Sequence, residues 1–162
     1  MRRFLVIGFL LVIMASSQAG GLRPMASGSM GISLMGDNAY FNLGLGGVIP
    51  IKGGLCARFS IMNLQAGENT SFYLGTGAGV GLAYYVPMKM FTPYGLFSMS
   101  LNTMSHYTSF GIVFGGGAQL RLRGVPMSAF GELGFGFQSV SYCESSNTDV
   151  LFNLLFGVRV EF

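Results

Sequence analysis

Residues 150–162 read VLFNLLFGVRVEF, and the alternation in this stretch decides how the rest of the chain is read. Counting back by twos from the C-terminus, Phe162, Val160, Val158, Phe156, Leu154, Phe152 and Val150 fall on one face. Glu161, Arg159, Gly157, Leu155, Asn153 and Leu151 fall on the other. A two-residue period puts the two sets on opposite sides of one β-strand. A face made only of Phe, Val and Leu meets either a protein core or a lipid bilayer, and that choice governs function.

Composition favours the bilayer. The 162 residues suffice for one domain, yet only 9% are charged, against roughly 25% in an ordinary soluble domain. Residues 1–19 read as a secretory signal peptide: Arg2 and Arg3 form a charged start, residues 4–15 are apolar, and Ser17 and Ala19 are the small residues before a cleavage at Gly20. Without Arg2 and Arg3, the nine Lys+Arg become seven against six Asp+Glu, a net charge of +1. That balance gives no support to nucleic-acid binding. Beyond residue 19 no apolar run is long enough for a spanning helix. An exported chain this apolar is accommodated by a transmembrane β-barrel, whose closure pairs every backbone group.

Turn signals built on Gly, Pro and Asn divide residues 20–162 into eight strand-length segments: 27–35, 40–49, 55–64, 72–86, 94–103, 110–123, 128–142 and 150–162. The expected fold is all-β, an eight-stranded antiparallel up-and-down barrel. An even strand number returns both termini to one side, the periplasmic side in a bacterial outer membrane. Lys52, Lys89, Arg121 and Arg123 then gather at one rim, and Asp37, Glu68, Glu144 and Asp149 at the other. On the apolar phase of the descending strands, Phe41, Phe72, Phe110 and Phe152 fall at the outer rim as an aromatic girdle, with Tyr84 and Phe162 near the opposite one. The rival fold is a soluble secreted barrel with its apolar residues inside. Its exterior would be nearly free of charge, with Gly75, Gly77, Gly79 and Gly81 on one solvated strand.

The signal peptide, the eight alternating segments, the tight turns at one end and the terminal Phe162 together resemble the small outer-membrane β-barrel family, the OmpA/OmpX/OmpW-like group. The resemblance is architectural and covers the whole chain after residue 19. It implies that Phe162, with Val160, Val158, Phe156 and Leu154, is the signal read by the barrel-assembly machinery. Two departures stand out: the outer loops are short, and the girdles contain no Trp.

The inward phase carries Arg58, Arg121, Arg123, Glu132, Arg159 and Glu161. Charges facing lipid are costly, whereas inside a narrow barrel they can pair. A structural ion-pair cluster centred on Glu132 is the expectation, with a narrow anion-selective pore gated by Glu132 as the alternative. The inward glycines, Gly44, Gly46, Gly75, Gly77, Gly79, Gly81, Gly115, Gly117, Gly134 and Gly136, are expected to make room for Tyr73, Tyr85, Tyr94 and the arginines, with a small lumenal cavity for a ligand as the alternative. Catalysis is not expected: His106 is the sole histidine, beside Ser105, Thr108 and Ser109, and the next acid is Glu132. Cys56 and Cys143 fall near opposite ends of the barrel, too far apart for a disulfide. No metal or cofactor is called for. The chain is expected to be a monomeric outer-membrane protein with a mostly plugged lumen and a structural or surface-interaction role. Passage of small or hydrophobic solutes is the alternative.

Overall fold

The structure, a computed structural model, describes residues 22–162 apart from 68, 69, 76, 77, 87, 89, 105, 106, 143 and 144. The expected signal peptide, Lys89, Glu68, Glu144, Ser105, His106 and Cys143 lie outside the described residues. Among the described residues nine strand segments follow one another: β1 (Met25–Met35), β2 (Asn38–Lys52), β3 (Leu55–Ala66), β4 (Thr70–Leu74), β5 (Val80–Tyr85), β6 (Phe91–Met104), β7 (Tyr107–Arg121), β8 (Met127–Tyr142) and β9 (Ser145–Glu161). Every pairing is antiparallel, β1 with β9 and β2 with β3 among them. Because β4 and β5 pair with successive parts of β3, they form one stave, and the sheet closes as an eight-stranded barrel. Tight turns between neighbouring strands use Gly36 at φ 56° and Gly53 at φ 56°, a backbone region that favours glycine.

The pairing register fixes the barrel's proportions. One cross-strand row runs Met35, Leu151, Gly136, Val113, Ser98, Gly81, Arg58, Val48 and back to β1 at Met25, ten residues from its start. Eight strands with a stagger of ten residues tilt by about 40° from the barrel axis. The interior of such a barrel has room for side chains and little more.

The expected strand over 72–86 is broken. Val80 pairs with Phe59 and Leu74 with Met62, so six steps along this stave run against three on β3. Gly75 (φ 58°) and Gly79 (φ 117°) flank the surplus, with Ala78 N–H donating to Gly75 O at 3.0 Å and Ser60 N–H to Gly79 O at 2.8 Å. Among the described residues no ladder joins β4 to β6: β5 pairs with residues 94–99, and residues 100–104 pair with β7 alone. β9 starts earlier than expected, at Ser145, and β7 stops at Arg121.

Sidedness is the reverse of a soluble domain's. Exposed large apolar side chains cover every stave, among them Ile32, Leu43, Ile61, Leu82, Leu101, Phe114, Leu133 and Phe156. Ser33, Asn42, Ser109, Gln119, Ser128, Glu132, Gln138 and Arg159 are buried. Soluble folds bury the first kind and expose the second.

Candidate functional site

The barrel interior is organised around Arg159 on β9, which is 0% exposed. Its Nη2 donates to Glu132 Oε1 at 2.6 Å and to the Tyr94 hydroxyl at 3.0 Å, and its Nη1 donates to Gln119 Oε1 at 3.0 Å. The Tyr94 hydroxyl donates to Glu132 Oε1 at 2.7 Å, and Arg58 Nη2 donates to Glu132 Oε2 at 2.9 Å. The Arg159 guanidinium lies 4.0 Å from the Phe130 ring centre, 4.8 Å from that of Tyr94 and 5.7 Å from that of Tyr85. Each of these rings offers its negative face to the cation.

Local sequence builds this cage. On β8, Glu132 and Phe130 share the inward phase, and Gly157 of β9 stands opposite Phe130. A Cβ at Gly157 would come within 2.7 Å of the Phe130 ring, and one at Gly117 within 2.7 Å of the Tyr94 hydroxyl. The glycines are therefore the space that these rings occupy. Phe130 went unrecognised in the sequence because apolar residues were assigned to the outer face. Its place two residues from Glu132 was the signal that could have found it.

Of the six charges expected in one cluster, the structure brings together Arg58, Glu132 and Arg159. Arg121 and Glu161 form a separate pair at the barrel mouth, with Arg121 Nη2 at 3.0 and 3.3 Å from the two carboxylate oxygens. Arg123 is exposed beyond the end of β7, its Nη2 3.7 Å from Met90 Sδ. The single six-membered cluster is thus corrected to a central triad and a mouth pair. The physical reason is strand length: the alternation that points Arg58 and Arg159 inward ends before Arg123.

Away from the triad the lumen carries neutral polar groups beside buried apolar ones, among them Met25, Val48 and Leu151. Asn42 Nδ2 donates to Ser33 Oγ at 2.6 Å, Ser33 bonds Asn153, and Gln138 Nε2 donates to Ser109 Oγ at 3.0 Å. A cavity of about 180 Å³ is lined both by these groups and by Arg58 and Glu132. Arg58 Nη1 and Arg159 Nε are buried without a hydrogen-bond partner. Two guanidiniums therefore share one carboxylate. Cys56 is buried as a free thiol on β3.

The four phenylalanines of the expected outer girdle are 41–51% exposed. Each strand-to-strand step along a register row changes level by about 1.25 residues in this barrel. With that allowance Phe41, Phe72, Phe110 and Phe152 stand within about two residues of one level. Phe91 and Phe162 stand about ten residues lower on the same outer surface. Of the C-terminal series, Phe162, Phe156 and Val158 are exposed and Val160 is half-buried.

No protein-family model, curated protein or solved structure matches this chain.

Proposed function

We propose that the chain is a bacterial outer-membrane β-barrel whose apolar exterior faces lipid and whose lumen is plugged by the Arg58–Glu132–Arg159 triad. The observation that carries this reading is the reversed sidedness: apolar outside, hydrogen-bonded and charged inside. Its dimensions agree. Ten residues between the two phenylalanine levels, at about 3.3 Å each and a tilt of about 40°, make an outer band about 25 Å tall. That is the height of the apolar band of outer-membrane barrels. The alternative of a soluble cup would leave this whole band in water, far beyond the patch size a soluble protein exposes.

In this reading residues 1–19 direct export and are removed before Gly20. Phe162, with Val160, Val158 and Phe156, serves the assembly machinery, and the barrel acts as a monomer in a structural or surface-interaction role. No enzymatic step is assigned to it. A second reading, a narrow passage for small solutes, is favoured by the cavity beside the triad. Planar-bilayer recording separates the two: the plugged barrel gives no unitary steps, and reproducible steps altered by Glu132→Ala would establish the passage. Heat-modifiable migration in detergent gels, with recovery in the outer-membrane fraction, tests the shared premise. A chain that migrates alike before and after boiling and fractionates with soluble protein overturns it.

A further inference from the structure

Three observations meet on one side of the lumen. The first is charge: Arg58 and Arg159 share Glu132, so the triad carries one positive charge in excess. A charge held away from water is costly unless a counter-charge balances it. The second is a donor: Arg58 Nη1 is buried without a hydrogen-bond partner, and Arg58 lines the cavity of about 180 Å³. The third is the wall of that cavity. Ser29 on β1, Ser60 on β3 and Ser98 on β6 line it, with Gly44 of β2 and Gly81 of β5 on the staves between them. With the same allowance of about 1.25 residues per step, the three serines stand within about one residue of one level. That level is about two residues from Arg58, on the side of the outer phenylalanines. The glycines keep this arc open: a Cβ at Gly44 would come within 2.8 Å of Ser29 Oγ, and one at Gly81 within 2.9 Å of Ser98 Cβ.

We infer that Arg58 and the hydroxyls of Ser29, Ser60 and Ser98 hold a small monovalent anion of halide type as the counter-ion of the triad. This inference goes beyond the plugged-lumen reading and rests on its triad, which becomes a plug of three side chains and one ion. One negative charge cancels the excess. A hydroxyl donates to an anion by turning about its C–O bond, and the guanidinium adds a charge-assisted donor. Single donors arriving from three staves suit a spherical ion, whereas a carboxylate is held best by two parallel N–H bonds from one plane. The cavity exceeds one water's share of volume, about 30 Å³, so the ion enters with part of its hydration and the cost of stripping it is reduced.

The test is equilibrium unfolding of the full mature barrel by urea from detergent micelles, with gluconate replaced stepwise by chloride at constant ionic strength. A ligand bound only by the folded state raises stability with its concentration. The inference therefore expects the unfolding midpoint to rise with chloride, with a limiting slope of one ion taken up per barrel. Because the ion is present while the barrel forms, no route into the closed lumen is required. Arg58→Met leaves Glu132 paired with Arg159 and should weaken chloride binding about tenfold. The double variant Ser60→Ala, Ser98→Ala keeps all three charges and should weaken it by about the same factor. Equal midpoints in chloride and gluconate overturn the inference alone. So does a chloride dependence that both variants keep unchanged. A barrel that gives unitary steps in planar bilayers yet keeps the one-ion dependence overturns the plugged lumen and upholds the anion site.

Discussion

Glu132 accepts from the buried Arg159 guanidinium, the half-buried Arg58 guanidinium and a tyrosine hydroxyl, so its charge matters more than that of either arginine. Glu132→Gln keeps the shape and leaves Arg58 and Arg159 facing one another with no carboxylate. Removing one partner of a buried pair costs about 3–5 kcal/mol, and unfolding by urea from detergent micelles should show a loss of that order. Arg159→Met should cost less, because Arg58 still pairs with Glu132 and a flexible apolar chain fits among Phe130, Tyr94 and Tyr85. Arg121→Ala removes an exposed pair and should cost no more than about 1 kcal/mol. If all three variants unfold at one urea concentration, the triad is not what holds the lumen together.

At the scale of elements, the broken stave depends on two glycines. Gly75 and Gly79 hold positive φ at the two ends of the surplus. A β-branched side chain there is strained by about 1–2 kcal/mol at each site. Gly75→Val and Gly79→Val should each lower the temperature at which the folded band disappears from a detergent gel. Gly95→Ala is the control, since a Cβ there meets only one atom, Gly115 O at 4.0 Å. Equal shifts in all three would mean that the break is not set by backbone conformation. Elsewhere the elements follow from alternation and turn chemistry together, as on β8, where Leu133, Phe135 and Phe137 face out and Glu132, Gly134, Gly136 and Gln138 face in.

For the whole molecule, the decisive quantity is the free energy of its outer face in the surrounding medium. Leu133 is exposed and stands between the two phenylalanine levels. Leu133→Arg should destabilise the barrel in vesicles by about 2–4 kcal/mol, the cost of an arginine near the bilayer midplane. A soluble cup with that residue in water would tolerate the change within about 0.5 kcal/mol. Equilibrium folding into vesicles measures the difference, and a neutral result argues for the cup.

How much of this was legible beforehand follows from the range of each interaction. Alternation is local, so the strand phases, the inward set Arg58, Glu132 and Arg159, and the outward phenylalanines could be read from the chain alone. The eight-stave count could be read too, because each turn announces itself through Gly, Pro or Asn. The number of residues of stagger could not, since it is a property of nine strand segments pairing at once. Only that stagger decides which inward residues share a level, hence why Arg159 meets Glu132 and Phe130 while Arg121 is left to Glu161 at the mouth. The break at Gly75–Gly79 was hidden for the same reason: its glycines keep the apolar alternation on either side, and only the partner strand reveals three surplus residues. What residues 150–162 determined by themselves was a strand with one lipid-like face. What the tertiary structure decided is the company that Arg159 keeps inside, because closure of the barrel, a long-range event, sets those neighbours.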